Sequence, residues 1–251
     1  MKTNFLQETE FKKIVGKKGN FNVIEYTRDV SVTPDRVVSE YYAGEMNVRR
    51  RQVAITLNNS EVVIQTGAMQ WTAGDVHAAT NIKGAGDLAK KMLSASVTKE
   101  SAIKPKYFGS GLLVLEPTYK HLILIDMESW QDGIVMDDGL FLACDATIQN
   151  KTVARSTLSS AVLGNEGLFN TMLIGPGTAV LESPVPASEL VLVSLENDTL
   201  KVDGNYAIAW SNSLKFTVEK TTKTLIGSAA SGEGFVNVYT GTGKVLMAPI
   251  R

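Results

Sequence analysis

The chain has 251 residues, 44 % of them hydrophobic and 20 % charged, with a formal net charge of −1. That length admits one large β domain or two small ones with a sizeable core, and the near-zero charge excludes a global field drawing the chain to nucleic acid or anionic lipid. A single cysteine, Cys144, excludes an intramolecular disulfide, and no apolar run approaches the roughly 20 residues a spanning helix needs.

Residues 1–44 differ from the rest and read as an N-terminal extension. The opening MKTNFLQETEFKK has no apolar leader and carries glutamates that argue against a mitochondrial presequence, so a cytoplasmic protein is expected. Lys12, Lys13, Lys17 and Lys18 surround the turn-like Gly16 and Gly19, and Phe21–Val30 alternates as one strand. Residues 31–35 predict a turn into a short helix, with Thr33 as N-cap and Pro34 at its first position. From Arg49 onward strand follows strand: Val53–Leu57, Glu61–Gln65 and Ala68–Trp71, with Asn58-Asn59-Ser60 and Ala73-Gly74-Asp75 as turns. In residues 84–100, Leu88, Met92, Leu93 and Val97 share one helical face and predict a single inserted helix.

A long-period repeat organises the remainder of the chain. Residues 108–117 (FGSGLLVLEP), 164–184 (GNEGLFNTMLIGPGTAVLESP) and 232–249 (GEGFVNVYTGTGKVLMAP) share a Gly-x-Gly flanked by apolar runs and closed by proline. The first glycines, Gly109, Gly175 and Gly241, are each 66 residues from the next. Asp138-Gly139 and Asp203-Gly204 recur after the second strand of each unit and read as hairpin turns. The expected fold is all-β: three tandem β-sandwich- or β-helix-like repeats closed into a pseudo-threefold body over residues 45–251. The units lie near 100–163 and 164–231, and the third combines 232–251 with about 49–80.

The Gly-x-Gly pairs (Gly109 and Gly111, Gly175 and Gly177, Gly241 and Gly243) read as strand punctuation, because no helix follows any of them to cradle a phosphate. Gly84-Ala85-Gly86 does open a helix pattern, but the preceding HAATNIK is a poor strand for a dinucleotide fold. The histidines, His77 and His121, stand in no metal-ligand spacing. Cys144 sits in an alternating run, no G-x-S-x-G occurs, and the repeat spreads the equivalent Glu116 and Glu182 apart. No catalytic, cofactor or metal residue is expected, and no enzyme. Trp71, Trp130 and Trp210 read as half-buried core aromatics. Arg49-Arg50-Arg51 is the densest charge cluster and the candidate interaction surface.

The two fuller glycine units resemble the signature of the altered-inheritance-of-mitochondria family, mostly bacterial proteins of unknown function, and Gly67-Ala68-Met69 matches its N-terminal motif. The resemblance covers about residues 50–251 and implies a fold similar to the tryptophan RNA-binding attenuation protein. The chain departs from that pattern in its 44-residue extension, in the degenerate Phe108-Gly109-Ser110-Gly111, and in Thr242 and Met247-Ala248-Pro249 of the last unit. The family's activity is not established, so no functional residue carries over. The expected function is a non-enzymatic scaffold or interaction protein, with a protein partner or self-association, linked to a membrane-associated complex. The alternative is RNA or small-ligand binding through the β body and Arg49–Arg51.

Overall fold

The computed structural model describes residues 2–79, 104–137, 139–154, 169–220 and 235–249. The helix predicted at 84–100, Asp138, and the Glu-Gly segments at 164–167 and 232–234 lie outside the described residues. The architecture is almost wholly β. In chain order the elements are β1 (Lys12–Lys18), β2 (Phe21–Tyr26), α1 (Val37–Glu45), β3 (Arg51–Ile64), β4 (Met69–Ala79), β5 (Lys106–Leu115), β6 (His121–Asp126) and β7 (Ile134–Met136). Then come β8 (Phe141–Asp145), β9 (Gln149–Ala154), β10 (Phe169–Ile174), β11 (Thr178–Ser183), β12 (Val191–Asp203), β13 (Ala207–Ser211), β14 (Lys215–Lys220) and β15 (Phe235–Met247).

These strands form two antiparallel sheets. The larger runs β1-β2-β3-β8-β11-β6, with β5 also on β3 and β4 on β5; the smaller runs β12-β15-β13-β7-β10-β9, with β14 on β15. The larger sheet curls into a nearly closed barrel, bringing its edge strands β1 and β6 together. Across that seam Lys18 Nζ meets Asp126 Oδ2 at 2.7 Å, and Gly16 leaves room for Leu124. The lysine bond, with the Glu128 backbone N–H second, holds the Asp126 carboxyl below its usual range. Exposed Lys13 and Lys17 charge the β1 edge, which keeps a foreign strand from pairing there. The N-terminal extension is therefore woven into the larger sheet: β2 pairs along β3 from Phe21↔Ile55 to Glu25↔Arg51, and Phe21 is fully buried.

The Gly-x-Gly motifs mark corners. Asn237 Nδ2 donates to the Gly204 carbonyl at 3.0 Å, while the Ala248 N–H donates to the Tyr206 carbonyl at 2.8 Å. Two acceptors two residues apart thus reach donors near the two ends of β15, a separation that would span roughly 35 Å in an extended strand. The β15 ribbon must double back, and its register with β12 shifts at Leu195/Asp198, opposite Gly243 and Gly241. There Asn197 takes φ 52°, and its N–H is accepted by Thr242 Oγ1 at 2.9 Å. The β3–β5 ribbon repeats the device, with Asn59 at φ 47° and its N–H accepted by Ser110 Oγ at 3.0 Å. At Gly175–Gly177, where β10 leaves one sheet and β11 enters the other, the hydroxyl comes from the facing turn between β8 and β9: Thr147 Oγ1 donates to the Pro176 carbonyl at 2.7 Å. What recurs every 66 residues is a sharp fold in an antiparallel pair.

Four expectations change. Asn58-Asn59-Ser60 and Ala73-Gly74-Asp75 do not end strands: they lie within β3 and β4, paired with β5 where that ribbon bends at Gly109 and Gly111. Residues 235–247 pair with β12, β13 and β14 rather than with residues 49–80, because the bent β15 already has a partner along both sides. Asp203-Gly204 does not close a hairpin: β12 and β13 flank β15 on opposite sides. The short helix begins at Val37, three residues beyond Pro34, because Thr33 to Arg36 close a turn first (Arg36 N–H to Thr33 carbonyl, 2.9 Å) and the helix has no side-chain cap.

Strand alternation fills three main cores. Phe21, Ile55, Leu113 and Val180 pack inside the curled sheet. Met136, Phe141, Cys144, Leu181, Ala209 and Leu246 join the two sheets. Trp210 and Tyr239 are buried in the smaller sheet with Phe216 against them. Trp130 is likewise buried, and Trp71 is half-buried against Phe5.

The corner geometry orders two glycine substitutions. A Cβ on Gly109 (φ 123°) would lie 2.1 Å from the Asp75 carbonyl oxygen, whereas at Gly241 (φ 127°) the nearest atom is a Leu214 methyl at 3.7 Å. Gly109→Ala should cost about 3 kcal/mol or more, backbone strain plus a backbone clash, and Gly241→Ala about 1–2 kcal/mol from strain alone. Urea midpoints at unchanged slope read the difference; equal costs would refute it.

Candidate interaction surface

Beside the larger sheet, α1 stands out. It starts without a side-chain cap, contains Gly44, and has no buried residue. Its end is well made: Asn47 takes φ 62°, the Val48 N–H reaches the Ala43 carbonyl at 2.9 Å, and the Asn47 N–H reaches Gly44 at 3.1 Å. A nine-residue helix is too short to persist on its own propensity, so its tertiary anchors hold it. The main anchor is Arg51, whose side chain is 4 % exposed. Its Nε donates to Glu25 Oε2 at 2.8 Å, Nη1 to the Arg49 and Tyr119 carbonyls at 3.3 and 3.4 Å, and Nη2 to the Asn47 carbonyl and Oδ1 at 3.2 and 3.1 Å. One guanidinium ties the helix end, β2 and the loop before β6 to β3.

The arginine cluster is thus already engaged. Arg49 Nη1 meets Glu25 Oε1 at 3.1 Å, and Arg50 Nη2 meets Asp29 Oδ2 at 2.9 Å while its guanidinium lies over the Tyr26 ring. Asp29 is held below the usual carboxylate range, first by the Ser31 backbone N–H and more weakly by the Arg50 and Arg36 charges. A phosphate backbone would have to displace these acids. Lys12, Lys13, Lys17 and Lys18 go to the β1 strand.

What α1 does present is apolar. Val37, Val38, Tyr41 and Tyr42 fall at i, i+1, i+4 and i+5 on one side of the helix, and all are exposed. Met46, at 77 % exposure, and Val48 and Tyr119 continue the surface. Between α1 and the adjoining ends of β2 and β3 lies a cleft of about 400 Å³, lined among others by Tyr26, Val37, Tyr41, Val48 and Tyr119. Burial raises the Tyr26 phenol, and its hydroxyl donates to Gln52 Oε1 at 2.8 Å. A boundary at residue 44, where composition ends the extension, cuts through this surface, and sequence reasoning singles out none of these side chains. Their signal is an apolar set on a helix too short to bury it.

Of the other singled-out residues, His121 lies within electrostatic reach of the Arg51–Glu25 anchor, and the rest do not gather with it. Cys144 is buried in the inter-sheet core, and burial pushes its thiol up to about 12, so at neutral pH it is no nucleophile. His77 meets Asp75 at 2.8 Å on the open surface of β4. His121 is pushed down by burial and then by the Arg51 charge. Glu182 pairs with Lys120 at 2.9 Å. Among the described residues no three His, Cys, Asp or Glu side chains gather closely enough to hold a metal ion, and no helix is long and apolar enough to cross a membrane. The six glycines Gly109, Gly111, Gly175, Gly177, Gly241 and Gly243 all lie at the corners, away from α1.

Known proteins show the same body. An uncharacterised protein of Streptococcus pyogenes serotype M6 is 27 % identical over 201 residues, covering 77 % of this chain and 79 % of that one. A crystal structure of a Streptococcus pyogenes protein matches with a TM-score of 0.59 at 24 % identity, over 82 % of this chain and 90 % of that chain, and shares its fold. The profile of the family described as mitochondrial biogenesis AIM24 matches residues 46–250, beginning directly after α1. With that match spanning the β body from β3 to β15, the chain belongs to the AIM24 family.

Proposed function

We propose that this protein is a non-enzymatic interaction module whose binding face is α1 with its cleft. One observation carries this: a helix with no buried residue displays Val37, Val38, Tyr41 and Tyr42 beside Met46, Val48 and Tyr119. Apolar side chains grouped this densely on a surface mark a contact site. The setting in a membrane-associated complex rests on the family resemblance.

A photo-crosslinking residue in place of Tyr42, expressed in the native host, should give discrete protein adducts, and the same residue at exposed Asn212 on the smaller sheet should give none. Fractionating the adducts reads the membrane setting. Equal or absent labelling from the two positions would remove the reading. RNA binding at Arg49–Arg51 is the competing outcome; it would show as adducts to nucleic acid and a salt slope that flattens in the triple serine variant.

A further inference from the structure

We propose that the α1 face binds a second copy of this chain, in a two-fold contact where protruding side chains of each copy enter the cleft of the other. This rests on the reading of α1 as a protein-binding face and names its occupant.

Size comes first. The exposed parts of Val37, Val38, Tyr41, Tyr42, Met46, Val48 and Tyr119 leave on the order of 700 Å² uncovered, taking roughly 200 Å² for a whole tyrosine or methionine and less for valine. That exceeds the few hundred Å² of an ordinary monomer patch and approaches the roughly 800 Å² each partner contributes to a stable interface. Shape comes next. A two-fold interface must be complementary to itself, so one patch has to carry both projection and recess. This patch does: Met46, Tyr42 and Val38 project at 77, 64 and 65 % exposure, next to the cleft of about 400 Å³, whose lining joins Val37, Tyr41, Val48 and Tyr119 to charged side chains at its polar side.

Charge decides between occupants. Arg36 is matched within the chain to Glu40 at 2.8 Å, Arg49 to Glu25 and Arg50 to Asp29, while Arg28 of the cleft lining lies over the Phe11 ring. Asp29, Glu40 and Glu45 stand among these arginines, so the face carries both signs: two such faces approach with little net repulsion, and an anionic lipid surface or a nucleic acid meets no purely cationic field. A second copy therefore fits better than either polyanion.

Sedimentation velocity of the full chain from about 1 to about 200 μM should show a monomer–dimer equilibrium with a dissociation constant in the micromolar range or below. Val38→Glu/Tyr42→Glu should weaken it at least tenfold without lowering the melting temperature, since both side chains are exposed. Val191→Glu/Leu192→Glu, on the exposed apolar pair of β12, should leave it unchanged. If the glutamate pair unfolds the chain, Val38→Ser/Tyr42→Ser gives the same comparison. A wild-type monomer at the highest concentration, a dimer indifferent to the α1 variants, or a dimer lost with the β12 pair would each overturn the proposal. Residue-42 adducts to a different protein, together with a monomeric purified chain, would overturn the second copy and leave the interaction reading standing.

Discussion

Deleting residues 235–251 is expected to unfold the entire body. The deleted segment holds β15, on which β12, β13 and β14 all pair, so three strands lose their ladder at once. It also removes Tyr239 and Val245 from the core of the smaller sheet and Leu246 and Ala248 from the core that joins the sheets. Each large buried apolar side chain contributes about 1.5–3 kcal/mol, so the loss of three with their strand partners rivals the roughly 5–15 kcal/mol that holds an ordinary domain together. Phe141, Cys144 and Leu181 of the larger sheet share that joining core, so they are uncovered too. The measurement is a thermal melt followed by far-ultraviolet circular dichroism, in which the truncated chain should show no cooperative transition. A truncated chain that melts cooperatively within a few degrees of the full one would refute this coupling between the sheets.

A ring closed by residues 232–251 and 49–80 would predict the same collapse for a different reason, and the difference shows what was legible in the sequence. Strand identity was legible because short apolar runs bounded by turn residues read as strands, as in the runs that became β8 and β11, which are buried on both faces. The spacing of Gly109, Gly175 and Gly241 was legible because each corner holds its first glycine at a positive φ, 122–127°, that other residues rarely adopt. Partner choice was not. Residue spacing cannot show that β15 folds back at Gly241–Gly243, and that fold brings β13 to the side of β15 opposite β12. For the same reason Asp203-Gly204, a strong hairpin signal between extended strands, connects strands that do not pair.

The surface divides in the same way. Arg49-Arg50-Arg51 was visible as a cluster, but Glu25, Asp29 and Asn47, which take up its charges and donors, lie on other elements. Pairing across that distance in the chain is a tertiary property. The apolar residues of α1 have the same composition as a core helix, and only the folded chain shows that nothing covers them. Inside or outside is decided by where β2 and β3 place the helix, and a segment of nine residues carries too little pattern to show it.

Arg51→Ala should be the most damaging single change in this region, costing about 3–5 kcal/mol. The substitution strands a mostly buried Glu25 with only the weaker Arg49 contact and leaves the Asn47 and Tyr119 carbonyls without a donor they now share. Arg50→Ala, by contrast, removes one ion pair whose partners are 35 and 26 % exposed, and should cost less than about 1 kcal/mol plus a small loss of stacking on Tyr26. Arg51→Lys should recover little, because an ammonium supplies three donors from one point where the guanidinium spreads five over acceptors on three elements. Denaturant unfolding at constant slope ranks the three variants, and hydrogen exchange locates the damage: the Val48 amide that closes α1 should lose protection first. If Arg51→Ala proved no worse than Arg50→Ala, or if Arg51→Lys matched the wild type, the guanidinium's hydrogen bonds would carry little of the stability and α1 would owe its position to something else.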